Sequence, residues 1–168
     1  MAFINIEDPM IESTSSLEEL DDLLRECNHP IDIRSIARKL GVTVIDDVDM
    51  DKDISGRLVS QSGKWYIYVN AFHDEKRKRF TIAHEIAHFI LHTKEKKEFN
   101  DVSFFRSPDH SKEEVDANKL AAKILMPKQA FFEEIRKGNN SLLQLATIFN
   151  VSGMACEYRA KELGLLRR

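Results

Sequence analysis

Phe80-Thr81-Ile82-Ala83-His84-Glu85-Ile86-Ala87-His88-Phe89-Ile90-Leu91-His92 is the stretch on which the reading of this chain turns. It contains H-E-x-x-H at His84 to His88. At 3.6 residues per turn the two histidines lie one turn apart on one face of a helix, with Glu85 projecting about 100° away from His84. On a helical wheel Phe80, Ile82, Ala83, Ile86, Ala87, Phe89, Ile90 and Leu91 take most of the circumference, the pattern of a largely buried helix. The remaining stripe is Thr81, His84, Glu85, His88 and His92, with no Lys, Arg, Gln or Asp between Phe80 and His92. A buried helix whose polar stripe holds only imidazoles, one carboxylate and one hydroxyl needs a compensating partner, because unpaired buried polar groups are costly.

A metal ion is the economical partner. H-E-x-x-H on a helix is the zincin signature, in which both histidines bind Zn²⁺ and the glutamate is general base toward the attacking water. A catalytic zinc takes three protein ligands and keeps a fourth position open. His92 does not suit as the third, since it lies eight residues beyond His84, about 12 Å along the axis, and one helix cannot converge all three on one ion. The arrangement with a third histidine after a glycine turn is also absent, because no such glycine follows. The third ligand therefore comes from another helix.

Glu113 and Glu114 are the nearby carboxylates, just ahead of an apolar helical run. Glu114 has Asn118 one turn further along the same face, where the amide oxygen could accept the N–H of a ligating histidine and fix its tautomer. Against this, Ser111-Lys112-Glu113-Glu114 is a capping box, and Glu114 could simply close a helix terminus. Spacing alone does not separate the two.

The rest of the chain frames this site. With 168 residues, 42% of them apolar, the chain suits one globular domain that folds without disulfides. Cys27 and Cys156 form no C-x-x-C motif and are expected to be core thiols in a reducing cytoplasm. The N-terminus lacks a basic region followed by a long apolar run, no segment reaches membrane-spanning length, and a net charge of −3 disfavours bulk nucleic-acid binding. A cytoplasmic protein with no membrane and no direct nucleic-acid partner is expected.

Residues 1–15 read as a loosely held arm and 16–168 as a single domain. Ser16 caps a helix from Leu17 to about Cys27, and a second helix from Ile31 to Leu40 stops at Gly41. Val42 to Ile45 reads as a strand, and the acidic run Asp46 to Asp53 as a solvated loop. Gly56 to Ser60 and Lys64 to Asn70 form a hairpin around Gln61-Ser62-Gly63, with Trp65, Ile67 and Val69 on one face and Tyr66 and Tyr68 on the other. Both faces are apolar or aromatic, so the hairpin is expected to be partly covered. The H-E-x-x-H helix begins near Asp74, and Lys76 to Arg79 in its first turns read as solvated surface. Thr93 to Asp109, with Phe104 and Phe105, shows no period and reads as a long loop beside the site. A helix capped at Ser107-Pro108 or Ser111 runs to Pro127, a short one ends at Gly138, and 141–168 form a C-terminal helical hairpin. The expected architecture is α+β: a mostly helical zincin-like domain with a small antiparallel sheet of about three strands beside the H-E-x-x-H helix.

The sequence resembles the ImmA/IrrE family of metallopeptidases over most of its length. The likeness rests on Arg79 to His88 with His92, on Glu114-Val115-Asp116-Ala117-Asn118, and on Ala121-Ala122-Lys123-Ile124-Leu125-Met126-Pro127. Ile36 to Gly41, Ser55-Gly56 and Ile67 to Asn70 add to it. Leu120 stands where many members carry Phe, and Asp116 where many carry Glu. The resemblance implies that Glu114 is the third metal ligand, that the cofactor is Zn²⁺, and that Glu85 is the catalytic base. It further implies a protease that cuts a helix-turn-helix repressor, often encoded nearby, relieving repression of stress or mobile-element genes. Some relatives occur in toxin–antitoxin pairs, which leaves a regulator acting by binding alone as the alternative. A third possibility is DNA binding by Leu145 to Gly153 and the following helix with Arg159 and Lys161, but Glu157 and Glu162 on that helix favour a core-completing hairpin.

Overall fold

The computed structural model describes residues 17–93, 98–101 and 111–166. The expected N-terminal arm, the Ser16 cap and the Phe104-Phe105 stretch lie outside them.

The chain begins with α1 (Leu17–Arg25), which turns Leu20 and Leu24 inward, and α2 (Ile33–Lys39), capped by Asp32 through the Ser35 N–H. Both are shorter than their apolar spacing suggests, α2 because Asp32 captures its N-terminus. Strands β1 (Val42–Asp47), β2 (Gly56–Gln61) and β3 (Lys64–Asn70) follow, then α3 (Glu75–His92), β4 (Glu98–Asp101), α4 (Lys112–Leu125), α5 (Lys128–Arg136), α6 (Leu142–Phe149) and α7 (Gly153–Glu162). The α+β class read from the sequence is the class observed.

The sheet departs from expectation in two respects. Its order is β1-β3-β2-β4, with β1 parallel to β3 and the other pairings antiparallel, so it is mixed and not purely antiparallel. The connection after β1 carries the chain past the place that β3 later fills, and the hairpin closes back into the gap. The fourth strand falls in the stretch read as a loop: four residues carry no alternation, and the open side of β2 decides their pairing. The hairpin therefore has no free edge along residues 56–59.

Val42, Leu58, Ile67 and Val69 are buried, and Trp65 meets Phe89 of α3 edge-on at 5.7 Å between ring centres. On the opposite face Tyr66 and Tyr68 are half-buried, with the Arg57 guanidinium 5.0 Å above the Tyr68 ring. Buried apolar residues from Leu20 of α1 to Ala160 of α7 form one core cluster, and α3 runs through it with every residue from Arg79 to Phe89 buried.

Arg79 corrects the reading of Lys76 to Arg79 as solvated surface. A helix turns about 100° per residue, so four consecutive residues cannot share one face. Lys76 and Arg77 are exposed, Lys78 pairs with Asp46 at 3.2 Å, and Arg79 is 6% exposed. Its guanidinium donates to the carbonyls of Ile31 (2.7 Å), Asn150 (3.0 Å) and Phe149 (3.4 Å), closing the C-terminal end of α6. Replacing Arg79 by Met leaves buried carbonyls without donors. An expected loss of about 3 kcal/mol follows from charged hydrogen bonds contributing about 1.5–3 kcal/mol each. Thermal unfolding should fall by roughly 6–12 °C for a domain of this size, with Arg79→Lys in between. An Arg79→Met protein that melts with the wild type would remove this role.

The C-terminal helices pair as a capped hairpin. Ser141 and Gln144 make a reciprocal capping box on α6, and Ser152 caps α7 through the Ala155 N–H. Arg159, 4% exposed, donates to the Met126 carbonyl at the end of α4 and to Glu162, while Lys161 pairs with Glu157. Of the two cations that suggested a recognition helix, Arg159 is engaged inside the fold, and Lys161 is exposed and paired with Glu157 on the same helix.

Candidate metal centre

The site grows from α3. Asp74 caps the helix by accepting the Arg77 N–H at 3.1 Å, and the buried stretch that follows fixes its rotation in the core. His84 and Glu85 are fully buried and His88 nearly so. The i, i+4 spacing brings the two imidazoles edge-on, with Nε2 to Nε2 3.0 Å.

Glu114 enters from the first turn of α4, the helix on which α3 packs most extensively. Ser111 is the cap, its hydroxyl accepting the Glu114 N–H at 3.3 Å. The Glu114 carboxylate itself faces the imidazoles: Oε2 is 3.3 Å from His84 Nε2, and Oε1 is 3.1 Å from His88 Nε2. Among the described residues, His84, His88 and Glu114 form the group whose ligand atoms lie within 4.8 Å of one another, and Glu113 is not part of it.

This arrangement fits a zinc-sized ion. Ligand atoms 2.0–2.1 Å from a tetrahedral centre stand about 3.3 Å apart. The three separations observed, 3.0, 3.1 and 3.3 Å, are of that size. Two imidazoles and a carboxylate are also the donor types that suit zinc. Burial lowers the pKa of His88 against the opposing effect of its hydrogen bond to the Glu114 carboxylate, which favours the neutral imidazole that a cation needs. Burial pushes the Glu114 carboxyl up, but hydrogen bonds from His84 and His88 outweigh it and hold the group far below the usual carboxylate range.

The other residues singled out from the sequence take different places. His92 lies beyond His88, with 5.4 Å between ring centres, and is not one of the converging group. Asn118 is half-buried, and its amide oxygen is enclosed without a hydrogen-bond partner among the described residues, so the expected bridge to a histidine is not formed. Sequence reasoning missed strand β2 as a wall beside Glu85. The available signal was Gly56 at the start of a strand, a common mark of close backbone approach.

Residues 37–161 match the family model of the IrrE N-terminal-like domain, Peptidase_M78. The chain belongs to this family. Its metallopeptidase-like character agrees with a buried His-His-Glu group that could bind a metal. The M78 fold is also similar to a solved structure described as a Mycobacterium tuberculosis transcriptional regulator, with a TM-score of 0.56 at 16% identity. That similarity covers 92% of this chain and 49% of the other, so the chain spans about half the length of that relative. Among curated proteins no sequence match is found. Among the described residues no helix is long and apolar enough to cross a membrane.

Proposed function

We propose that this M78 domain is a zinc-dependent endopeptidase in which His84, His88 and Glu114 hold the metal and Glu85 is the general base. The observation that carries this reading is the convergence of two buried imidazoles and one carboxylate at tetrahedral-ligand spacing, with a further buried carboxylate next in sequence. A zinc ion held there supplies Lewis acidity to water and to the scissile carbonyl. His84 and His88, as neutral imidazoles, offer lone pairs, and Glu114 contributes the negative charge that offsets part of the ion's. Glu85, which is not one of the converging ligands, takes the proton of the attacking water and returns it to the leaving amine. Burial in the core keeps its carboxylate away from bulk water.

The substrate in this reading is a cytosolic helix-turn-helix repressor encoded nearby, cut where a segment is extended enough to reach the site. The family resemblance supports it, and so does the burial of Arg159, whose guanidinium is bonded to the Met126 carbonyl and to Glu162 and so turned away from a DNA backbone. The edge of β2 is occupied by β4 along residues 56–59. An extended segment joining the sheet on that side would pair with β4.

Incubating the zinc-loaded protein with the product of a neighbouring repressor gene tests the reading, with Glu85→Gln as control. Discrete fragments formed only by the wild type are expected. Tight binding without cleavage would favour a regulator or toxin–antitoxin component that acts by association.

A further inference from the structure

Of the glycines in the chain, Gly41, Gly63, Gly138 and Gly164 have positive φ and open space where a Cβ would stand. Gly56 is the reverse case. Its backbone is not in the left-handed region, yet a Cβ there would lie 2.5 Å from Thr81 Cγ2, 2.8 Å from the Tyr68 carbonyl oxygen and 3.7 Å from Glu85 Oε1. Glycine is needed here for room and not for conformation.

The same end of β2 is fixed on both sides. The carbonyl of buried Ser55 accepts the Asn70 N–H at 2.9 Å, which ties it to β3. The Ser55 hydroxyl meets Arg77 Nη2 at 3.0 Å, which ties it to α3. Arg77, Thr81 and Glu85 are spaced i, i+4, i+8, a single stripe of α3 one turn apart. The start of β2 therefore lies along that stripe, bonded at Arg77, in van der Waals contact at Thr81, and adjoining the carboxylate at Glu85. The ligand pair His84 and His88 occupies the neighbouring stripe, which faces Glu114 of α4.

We infer that Gly56 is a positioning residue for Glu85: the bare backbone of β2 at this point seats the carboxylate beside the ligand group. The inference rests on the metallopeptidase reading above. A methyl at position 56 would stand 2.5 Å from Thr81 Cγ2 and 2.8 Å from the Tyr68 carbonyl oxygen, so this end of β2 must draw back from Thr81, and the Glu85 carboxylate loses the backbone beside which it sits. The ligands face the other helix, so the disturbance falls on the base and spares the metal.

The test is a double-mutant cycle read by binding of a small hydroxamate, a metal-chelating probe sensitive to a neighbouring carboxylate, with zinc content measured alongside. Gly56→Ala is expected to keep its zinc and weaken hydroxamate binding about tenfold, as contacting residues in one network commonly couple. In a Glu85→Gln background the same substitution should have little further effect. Thr81→Ser removes the methyl nearest to position 56, and Gly56→Ala/Thr81→Ser should regain part of the lost affinity. Should Gly56→Ala alone fail to fold, the cycle is run in the Thr81→Ser background, where the tightest contact is gone. Losses from Gly56→Ala and Glu85→Gln that simply multiply, or zinc lost in step with hydroxamate affinity, would overturn the inference and leave the metallopeptidase reading standing. A wild type that binds hydroxamate no better with zinc than without would overturn both.

Discussion

Glu85→Gln is expected to keep the fold and the metal while losing turnover about 10²- to 10⁴-fold, the usual cost of removing a general base. The side chain is fully buried on a helix whose neighbours from Arg79 to Phe89 are also buried, so a substitution of nearly equal shape preserves the packing. An amide cannot accept the proton that a carboxylate accepts. Because Glu85 is not in the group formed by His84, His88 and Glu114, metal content should be unchanged. Rates on any substrate that the wild type cleaves, measured beside zinc content and circular dichroism, decide the matter. Wild-type turnover in Glu85→Gln would place the base elsewhere.

Glu114→Ala should lower metal affinity by more than about 100-fold, because losing merely an outer partner of a ligand already costs about 10- to 100-fold. The carboxylate faces both imidazoles, so its removal takes the single negative charge from the ligand group. The helix itself should persist, since the Ser111 cap bonds the backbone N–H of residue 114 and not its side chain. Glu113→Ala is the paired control and should bind metal as the wild type does. Competition against a chelator of known affinity measures both variants. Retention of zinc by Glu114→Ala together with its loss from Glu113→Ala would reverse the assignment.

The parts of this molecule legible in the sequence are those whose physics is local. The i, i+4 spacing of His84 and His88, the apolar wheel around them, and the start of their helix at Asp74 depend on residues within a turn or two of each other. Glu114 was a harder case. Capping and ligation both suit its spacing, and only the packing of α4 on α3 shows where the carboxylate turns. Arg79 was misread because a run of four cations looks the same wherever it points, while its partners at Ile31, Phe149 and Asn150 are distant in sequence. The parallel pairing of β1 with β3 and the presence of β4 are likewise decisions made between segments, which no periodicity within a segment records.

The packing of α3 against α4 has a consequence for how the domain tolerates change. The ligand atoms come from two helices held to each other by their own side chains, so the stretch of chain joining the helices does not set the distance between His88 and Glu114. An ion bound there acts as a clasp across that connection, in the way a cross-link closes a loop. Doubling the length of a loop costs only about 0.6 kcal/mol in closure entropy. Insertions between the two helices can thus leave the spacing of the ligands as it is.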